Sequence, residues 1–371
     1  MVISVHAFPW DVLGDDGFVD RFAQTGADAV TLAVSYHSTR AATPLHPTRR
    51  FVDARHAALY RPVREQAWAV RRLVPQAPDW TGTDDAAGEA ATALRAAGIA
   101  VNAWIVLAHD TRLGLLHPDL TVLNCFGERY PYALCPAQAE VREHCVTLAG
   151  EALRDLPVDG VSLESCGQMG VAHIGCHEKT DGAYSPLVQR LLSICCCTAC
   201  AASWAARGLD PEQVVAALRD AVRAETPLPE QTASALLAAR HDATADMLAE
   251  VLAEVRRHAP DAPVTLHGHP DPWAVGPSPG LAPKVLPLVD RVLVPCWPTD
   301  PATAGLVSAL AERVIVDAYV TVLPPTSPDR LSEHVARLRE AGATRLSLYH
   351  LGLASAAFQP LLAALTKEFR S

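Results

Sequence analysis

The chain is short of positive charge: 31 lysine and arginine residues stand against 41 aspartate and glutamate residues, a formal net charge of −10. That balance argues against a nucleic-acid partner, which needs a basic footprint to displace counterions from phosphates. A small neutral or cationic ligand fits better. No uninterrupted apolar run reaches bilayer length, although half of the residues are hydrophobic, ample for a large core. The first residues, MVISVHAFPW, lack the positive region and apolar stretch of a secretory signal and read as a strand. A cytoplasmic protein with no membrane partner is the expectation. Cysteine is too sparse for a disulfide scaffold, ten in 371 residues, so reduced thiols or metal thiolates are expected. A glycine-rich phosphate loop is also missing after the first strand, where VHAFPWDVLGDDG stands, which disfavours an open doubly wound sheet.

What is present is a rhythm. Short β-rich runs alternate with Ala/Leu/Arg-rich helical stretches, the pattern of a parallel sheet with crossover helices. Strands are predicted over 2–7, 29–36, 100–107, 160–164, 264–267, 291–296, 314–319 and 345–350, and helices over 17–26, 84–98, 137–155, 235–258, 301–312 and 327–342. The junctions QTGADAVTL, AAGIAV and REAGATRLSL place glycine just after a helix, where a left-handed cap is needed, and then begin a strand. Eight such units predict a single (β/α)8 TIM barrel spanning 1–371. Long insertions follow strand two (38–83) and strand four (165–232). In a barrel both lie on the C-terminal face, where active sites are built.

The strand ends carry the functional signal. His6, His37, His109 with Asp110, Glu164, His267 with His269, Cys296 with Trp297, Asp317 and His350 stand near the C-terminal ends of the predicted strands. Alternation forbids all of them from facing the axis, and any single histidine is readily a satisfied core residue, but the whole set points to a pocket. Glu164 closes the apolar strand VDGVSLES and is expected to be partly desolvated, which lifts a carboxyl toward the range useful for acid/base work. A salt bridge to a nearby arginine is the plainer alternative. Asp317, in VIVDAYV, is the candidate second carboxylate, since two carboxyls across a mouth suit glycoside cleavage. Trp297, Trp104, Trp10 and Tyr349 offer an aromatic platform for a sugar ring, or plain packing. The histidines, Asp110 and Trp297 are the expected substrate contacts.

Within the second insertion, LSICCCTAC puts Cys195, Cys197 and Cys200 in C-x-C-x-x-C spacing, with Cys196 as an extra member. Three thiolates so spaced converge on one tetrahedral ion, and a structural zinc is the favoured reading, with His177 or Cys176 of HIGCHEK as the fourth ligand. An iron–sulfur cluster, a redox dithiol and cysteines as small buried hydrophobes remain alternatives. The first insertion mixes Arg40, Arg49, Arg50, His46, His56 and Tyr60, which suits a substrate-covering loop, a subunit contact or a solvated surface.

The stretch HPDLTVLNCFGERYPYALCPAQAEVREHCVTLAGEALRDLPVDGVSLES resembles barrel enzymes of the glycoside hydrolase type. The resemblance rests on His117, Pro118 and Asp119 after strand three and on the turn from Asn124 to Gly127. It continues through the helix start Cys135, Pro136, Glu140, Val141 and Arg142, and through Asp159, Gly160 and Glu164 at strand four. CHEKTDGAYSPLVQRLLSICCCTACAASW is similar to the cysteine-bearing helix end of the same enzymes, and the likeness covers roughly 100–210. It implies a TIM barrel with an acidic residue closing strand four; many such proteins have no demonstrated substrate, so it speaks to fold more than to reaction. The leading expectation is a carbohydrate-active hydrolase with a sugar-like substrate. A metal-dependent barrel enzyme holding its ion on His6, His267, His269, Asp317 and His350 is the second, against which strand one lacks His-x-His. A non-catalytic sugar-binding barrel is the third. Ala/Leu-rich helix faces permit a homodimer without specifying one.

Overall fold

The computed structural model describes residues 1–171, 179–180 and 182–371. Eight parallel strands form a ring: β1 (Val2–Ala7), β2 (Ala29–Tyr36), β3 (Ala100–Val106), β4 (Gly160–Glu164), β5 (Val264–His267), β6 (Arg291–Pro295), β7 (Ile315–Thr321) and β8 (Arg345–Tyr349). Each pairs with the next, and β1 also pairs with β8, Ser4 lying opposite Ser347, so the sheet closes without a free edge. Closure explains why β2 and β4 are buried along their whole length. Their outer faces meet helices and their inner faces meet one another.

The crossovers follow the expected order. Helices α1 (Phe18–Thr25), α2 (Ala86–Ala96) and α3 (Ala139–Leu153) lead into β2, β3 and β4. Gly26 and Gly98 occupy the left-handed region just past α1 and α2, at φ of 68° and 75°, where a side chain would be strained. Short helices α4 (Pro186–Leu192), α5 (Thr198–Ala205) and α6 (Pro211–Ala224) fill the segment after β4, and α7 (Glu230–His258) returns to β5. This last helix begins five residues before its predicted start. Its first turns pack Leu236 and Ala239 into a small core of the insertion with Leu191, Trp204 and Leu218, and its later turns pack Met247 and Val251 into the barrel core. One rigid element therefore joins the insertion to the barrel.

Two departures position the site. Among the described residues the β5–β6 connection carries only a 3-10 turn, Leu286–Leu288, so residues 268–285 run as a loop across the mouth. The segment after β2 is also more ordered than a solvated loop, since Thr39–Ala42 and Phe51–Ala54 pair as an antiparallel hairpin. His46 is buried at its tip and accepts the Thr48 and Arg49 amides, while Tyr60 is wholly buried. His46 thus braces the hairpin loop, and Tyr60 packs against Trp10 and Trp80.

Beyond β3, a helical turn (Thr111–Leu116) lies so close to the strand Arg129–Leu134 that a Cβ on Gly114 would stand 1.8 Å from the Pro131 carbonyl oxygen. Gly114→Ala forces backbone apart and is expected to cost about 1–3 kcal/mol or more, read as a lower urea midpoint with unchanged slope.

Candidate active site and thiol cluster

Side chains at alternate strand positions meet inside the ring. Toward the N-terminal end of the barrel the Ser4 and Ser347 hydroxyls are 2.9 Å apart. Higher up, the His6 ring stands 4.8 Å from Trp104 and 4.7 Å from Tyr319, centroid to centroid. At the mouth, Tyr319, Tyr349 and Trp297 cluster with centroid separations of 5.2–5.9 Å.

Glu164 ends β4 within this aromatic wall and is only 4% exposed. The Trp104 indole N–H donates to its Oε2 at 2.8 Å, and His267 Nδ1 approaches the same oxygen at 3.6 Å. Burial dominates its acidity and pushes the carboxyl up to about 8, against a smaller opposing effect of the Trp104 hydrogen bond. Among the described residues no arginine or lysine is paired with it, which leaves the salt-bridge alternative without a partner there. His267 is fixed from the other side by Ser162, whose Oγ lies 2.9 Å from Nε2, and burial holds this imidazole down at about 3. Glu164 and His267 are therefore both uncharged near neutral pH.

The structure does not bring Asp317 to Glu164. Asp317 is the third residue of the seven-residue β7, two positions short of Tyr319 and well below the mouth. Arg345, the first residue of β8, places its Nε 3.6 Å from Asp317 Oδ2; burial raises the Asp317 carboxyl, and the Arg345 charge and Ser347 oppose that rise. The expectation that this carboxylate faces Glu164 across the mouth misjudged depth, because VIVDAYV continues as strand through Thr321.

The other predicted residues divide. His6 and His267 belong to the interior wall, and burial holds His6 well below the ordinary imidazole value. His37 stacks between Tyr36 and His109, at 4.2 and 4.4 Å. Asp110 accepts the Leu113 amide as a helix cap, with its carboxyl raised by burial to about 6. His350 is buried against Phe8, and its Nδ1 lies 3.8 Å from Asp11 Oδ2. Asp11 itself, absent from the expected set, is raised to about 7 by burial and is sealed by Gly352, where a Cβ would sit 2.1 Å from its Cγ. Trp10 stacks on Phe8 at 4.5 Å in the core, so it offers no platform. Trp297 is 41% exposed.

Trp297 and Tyr319 form one end of a cleft of about 460 Å³. Its far side comes from the two connections described above: His269, Asp271 and Trp273 of the β5–β6 loop, and Arg190 of α4. Arg190 pairs with Asp271 at 3.0 Å and lies over the Trp273 ring. His269 lines the cleft, accepts the Asp271 amide and is held neutral by burial.

Behind the cleft wall, Cys195, Cys197 and Cys200 converge as their spacing predicts, and the fourth thiol is Cys135. All four sulfurs lie within 4.8 Å of one another, and Cys135 is 3.7 Å from both Cys197 and Cys200. This is too long for a disulfide and close to the edge of about 3.8 Å that follows for a tetrahedron of thiolates around zinc. The Leu123 amide and the Gln138 side-chain amide donate to Cys195 and Cys197. Cys197 caps α5, and bonds from Cys135, then Cys195 and Cys200, hold its thiol far below the ordinary value while Cys135 and Cys200 are pushed up. Buried Arg240 supplies compensating positive charge to these thiols. Donor type, spacing and charge all fit a metal ion. His177 and Cys176 lie outside the described residues. Cys135 precedes Pro136 in the loop after β3, the same mouth of the barrel as the insertion, and that placement was the available signal.

Two outcomes are expected. Because the folded protein keeps Glu164 protonated while the unfolded chain ionises near 4.5, wild-type stability falls relative to Glu164→Gln as pH rises from about 4.5 to about 8, and no further above that. The difference is bounded at roughly 4–5 kcal/mol and is read by urea unfolding at several pH values. Asp317→Ala, which strands Arg345, lowers stability by about 3 kcal/mol and leaves that pH-dependent difference intact.

No protein-family model matches the chain, and no curated protein matches it in sequence. Solved structures do match. The glycoside hydrolase domain of PgaB (BpsB) from Bordetella bronchiseptica has a TM-score of 0.64 at 17% identity, covering 100% of this chain and 99% of that one. The β-amylase catalytic domain from Paenibacillus polymyxa gives 0.57 at 13% identity, with 98% of each chain covered. The α-L-fucosidase isoenzyme 2 from Paenibacillus thiaminolyticus gives 0.62 at 14% identity over 100% of this chain, which spans 49% of the fucosidase chain. No helix among the described residues is long and apolar enough to cross a membrane. The chain has the (β/α)8 barrel fold, which it shares with the PgaB glycoside hydrolase domain, the β-amylase and the α-L-fucosidase.

Proposed function

We propose that this protein hydrolyses a glycosidic bond, with Glu164 as the general acid. The observation that carries the reading is a buried carboxyl, pushed up to about 8 by that burial, at the C-terminal mouth of a barrel and enclosed by aromatic rings. A protonated carboxyl transfers its proton to the leaving-group oxygen as the bond to the sugar carbon breaks. The resulting carboxylate keeps the Trp104 hydrogen bond, which favours the charged form. Trp297 and Tyr319 give a sugar ring apolar faces to lie on, and Arg190, Asp271 and His269 supply polar groups along the same cleft. The fold neighbours, named as a glycoside hydrolase domain, a β-amylase and an α-L-fucosidase, are consistent with this class. Asp317 serves in this reading as a buried partner of Arg345 that braces the barrel, not as the second catalytic carboxylate.

The thiol cluster completes the proposal. Zinc held by Cys135, Cys195, Cys197 and Cys200 has four protein ligands and no open position, so its role is structural. It would tie the loop after β3 to the segment between α4 and α5, which carries part of the cleft wall. The second reading, a catalytic ion on the strand-end histidines, is disfavoured because His6, His267 and His350 are packed in the aromatic interior and, among the described residues, do not converge as a group of three ligand atoms.

Elemental analysis of untagged protein is expected to give about one zinc per chain, lost in Cys197→Ser and in Cys135→Ser alike. Metal that persists in both variants contradicts the assignment. Screened against aryl glycosides, wild type is expected to show turnover that falls as pH rises through about 8 and drops by at least 10²-fold, as for loss of a general acid, in Glu164→Gln. Full activity in that variant overturns the role of Glu164.

A further inference from the structure

Ser162, His267 and Glu164 make an unbroken line inside the barrel. Ser162 and Glu164 are alternate residues of β4, so both face the axis, and His267 ends the neighbouring β5. The Ser162 hydroxyl is 2.9 Å from Nε2, and Nδ1 lies 3.6 Å from Glu164 Oε2 with no hydrogen bond to any other group among the described residues. All three residues are at least nine-tenths buried. Neutral imidazole has one N–H and one bare nitrogen, and what each nitrogen faces decides which is which.

We propose that His267 is a positioning residue whose tautomer follows the charge of Glu164, with Ser162 turning its hydroxyl to match. With Glu164 protonated, Oε2–H donates to bare Nδ1, and Nε2–H donates to the Ser162 oxygen. With Glu164 ionised, Nδ1–H donates to the carboxylate, and Ser162 O–H donates to bare Nε2. The two states differ by one proton: the hydrogen on Oε2 ends on Nδ1, and the hydrogen on Nε2 is the one released to solvent. A hydroxyl serves because it can donate or accept, which a backbone carbonyl or amide in its place could not do. The carboxyl thus has a hydrogen-bond partner of the right polarity in both protonation states, which a group acting first as acid and then as base requires.

The surroundings favour a tautomer exchange over an ion pair. Tyr36 on β2, His6 on β1, Trp104 on β3, Tyr319 on β7 and Tyr349 on β8 face the pair. The tyrosines are pushed up and His6 is pushed down by burial, so each is uncharged near neutral pH. Asp317 acts on Tyr319 from below and is screened by Arg345. A doubly protonated His267 beside a carboxylate would put two charges into this wall, where burial opposes both.

The inference rests on Glu164 as the acid/base group, yet its test needs no substrate. Nitrogen-15 NMR of histidine-labelled protein distinguishes protonated from bare ring nitrogens, and His267 is identified by the signals missing in His267→Gln. Wild type is expected to carry its proton on Nε2 below pH 8 and on Nδ1 above it. In Glu164→Gln the group facing Nδ1 no longer titrates, so His267 keeps one tautomer at every pH and the exchange is lost. An Nε2–H or Nδ1–H form that stays unchanged across the range in wild type, or a doubly protonated ring below pH 8, overturns the proposal. Should His267→Gln not fold, the signals whose pH dependence vanishes in Glu164→Gln identify the residue. An exchange observed in a protein that cleaves no glycoside supports the tautomer pair and counts only against the hydrolase reading.

Discussion

Closure of the sheet is the constraint from which the rest follows. Because β1 pairs with both β2 and β8, eight strands share one interior, and their alternate side chains have no solvent-facing side to turn to. Ser4, His6, Ser162, Glu164, His267, Asp317 and Ser347 are all buried, so their polar groups must find partners inside the tube. The lower layer meets that demand with an ion pair and hydroxyls. The upper layer meets it by staying neutral, and neutrality at a barrel mouth is what turns a carboxyl into a proton donor.

The insertion after β4 is the second organising element, and its chemistry is separate from the first. It brings too few large apolar residues to make one continuous core with the barrel, and packs instead as two small clusters around Cys195, Cys197 and Trp204. Four thiols at the seam between those clusters and the loop after β3 suit a metal cross-link. Arg240 touches both worlds: it donates to the Ser193 carbonyl next to the cysteines and lies over Trp273 in the cleft wall. The cleft is therefore lined by groups whose placement traces back to the thiol cluster, while the carboxyl that would do chemistry is held by the barrel alone.

Much of the architecture was legible because barrel strands are short and bounded by polar junctions. The strands at 2–7, 29–36, 160–164 and 264–267 match residue for residue, and glycine after a helix marked Gly26 and Gly98 correctly. Depth within a strand was not legible. Asp317 and Glu164 both look like acids near a strand end, but VSLE stops at Glu164 whereas VDAYVT runs four residues past Asp317. Nor could spacing reveal Cys135, sixty residues from its partners, or the pairing of Trp104 with Glu164, which depends on register between β3 and β4. Local pattern gives elements; contacts between distant elements decide what their polar residues do.

The central claim is that Glu164 is uncharged at neutral pH because it is buried at the barrel mouth with no lysine or arginine paired to it among the described residues. Infrared spectroscopy reads this directly, since a protonated carboxyl has a carbonyl stretch well separated from that of a carboxylate. The difference spectrum of wild type minus Glu164→Gln at pH 7 is expected to contain a protonated-carboxyl band that disappears as pH is raised through about 8. A difference spectrum at pH 7 holding only carboxylate bands would contradict the account.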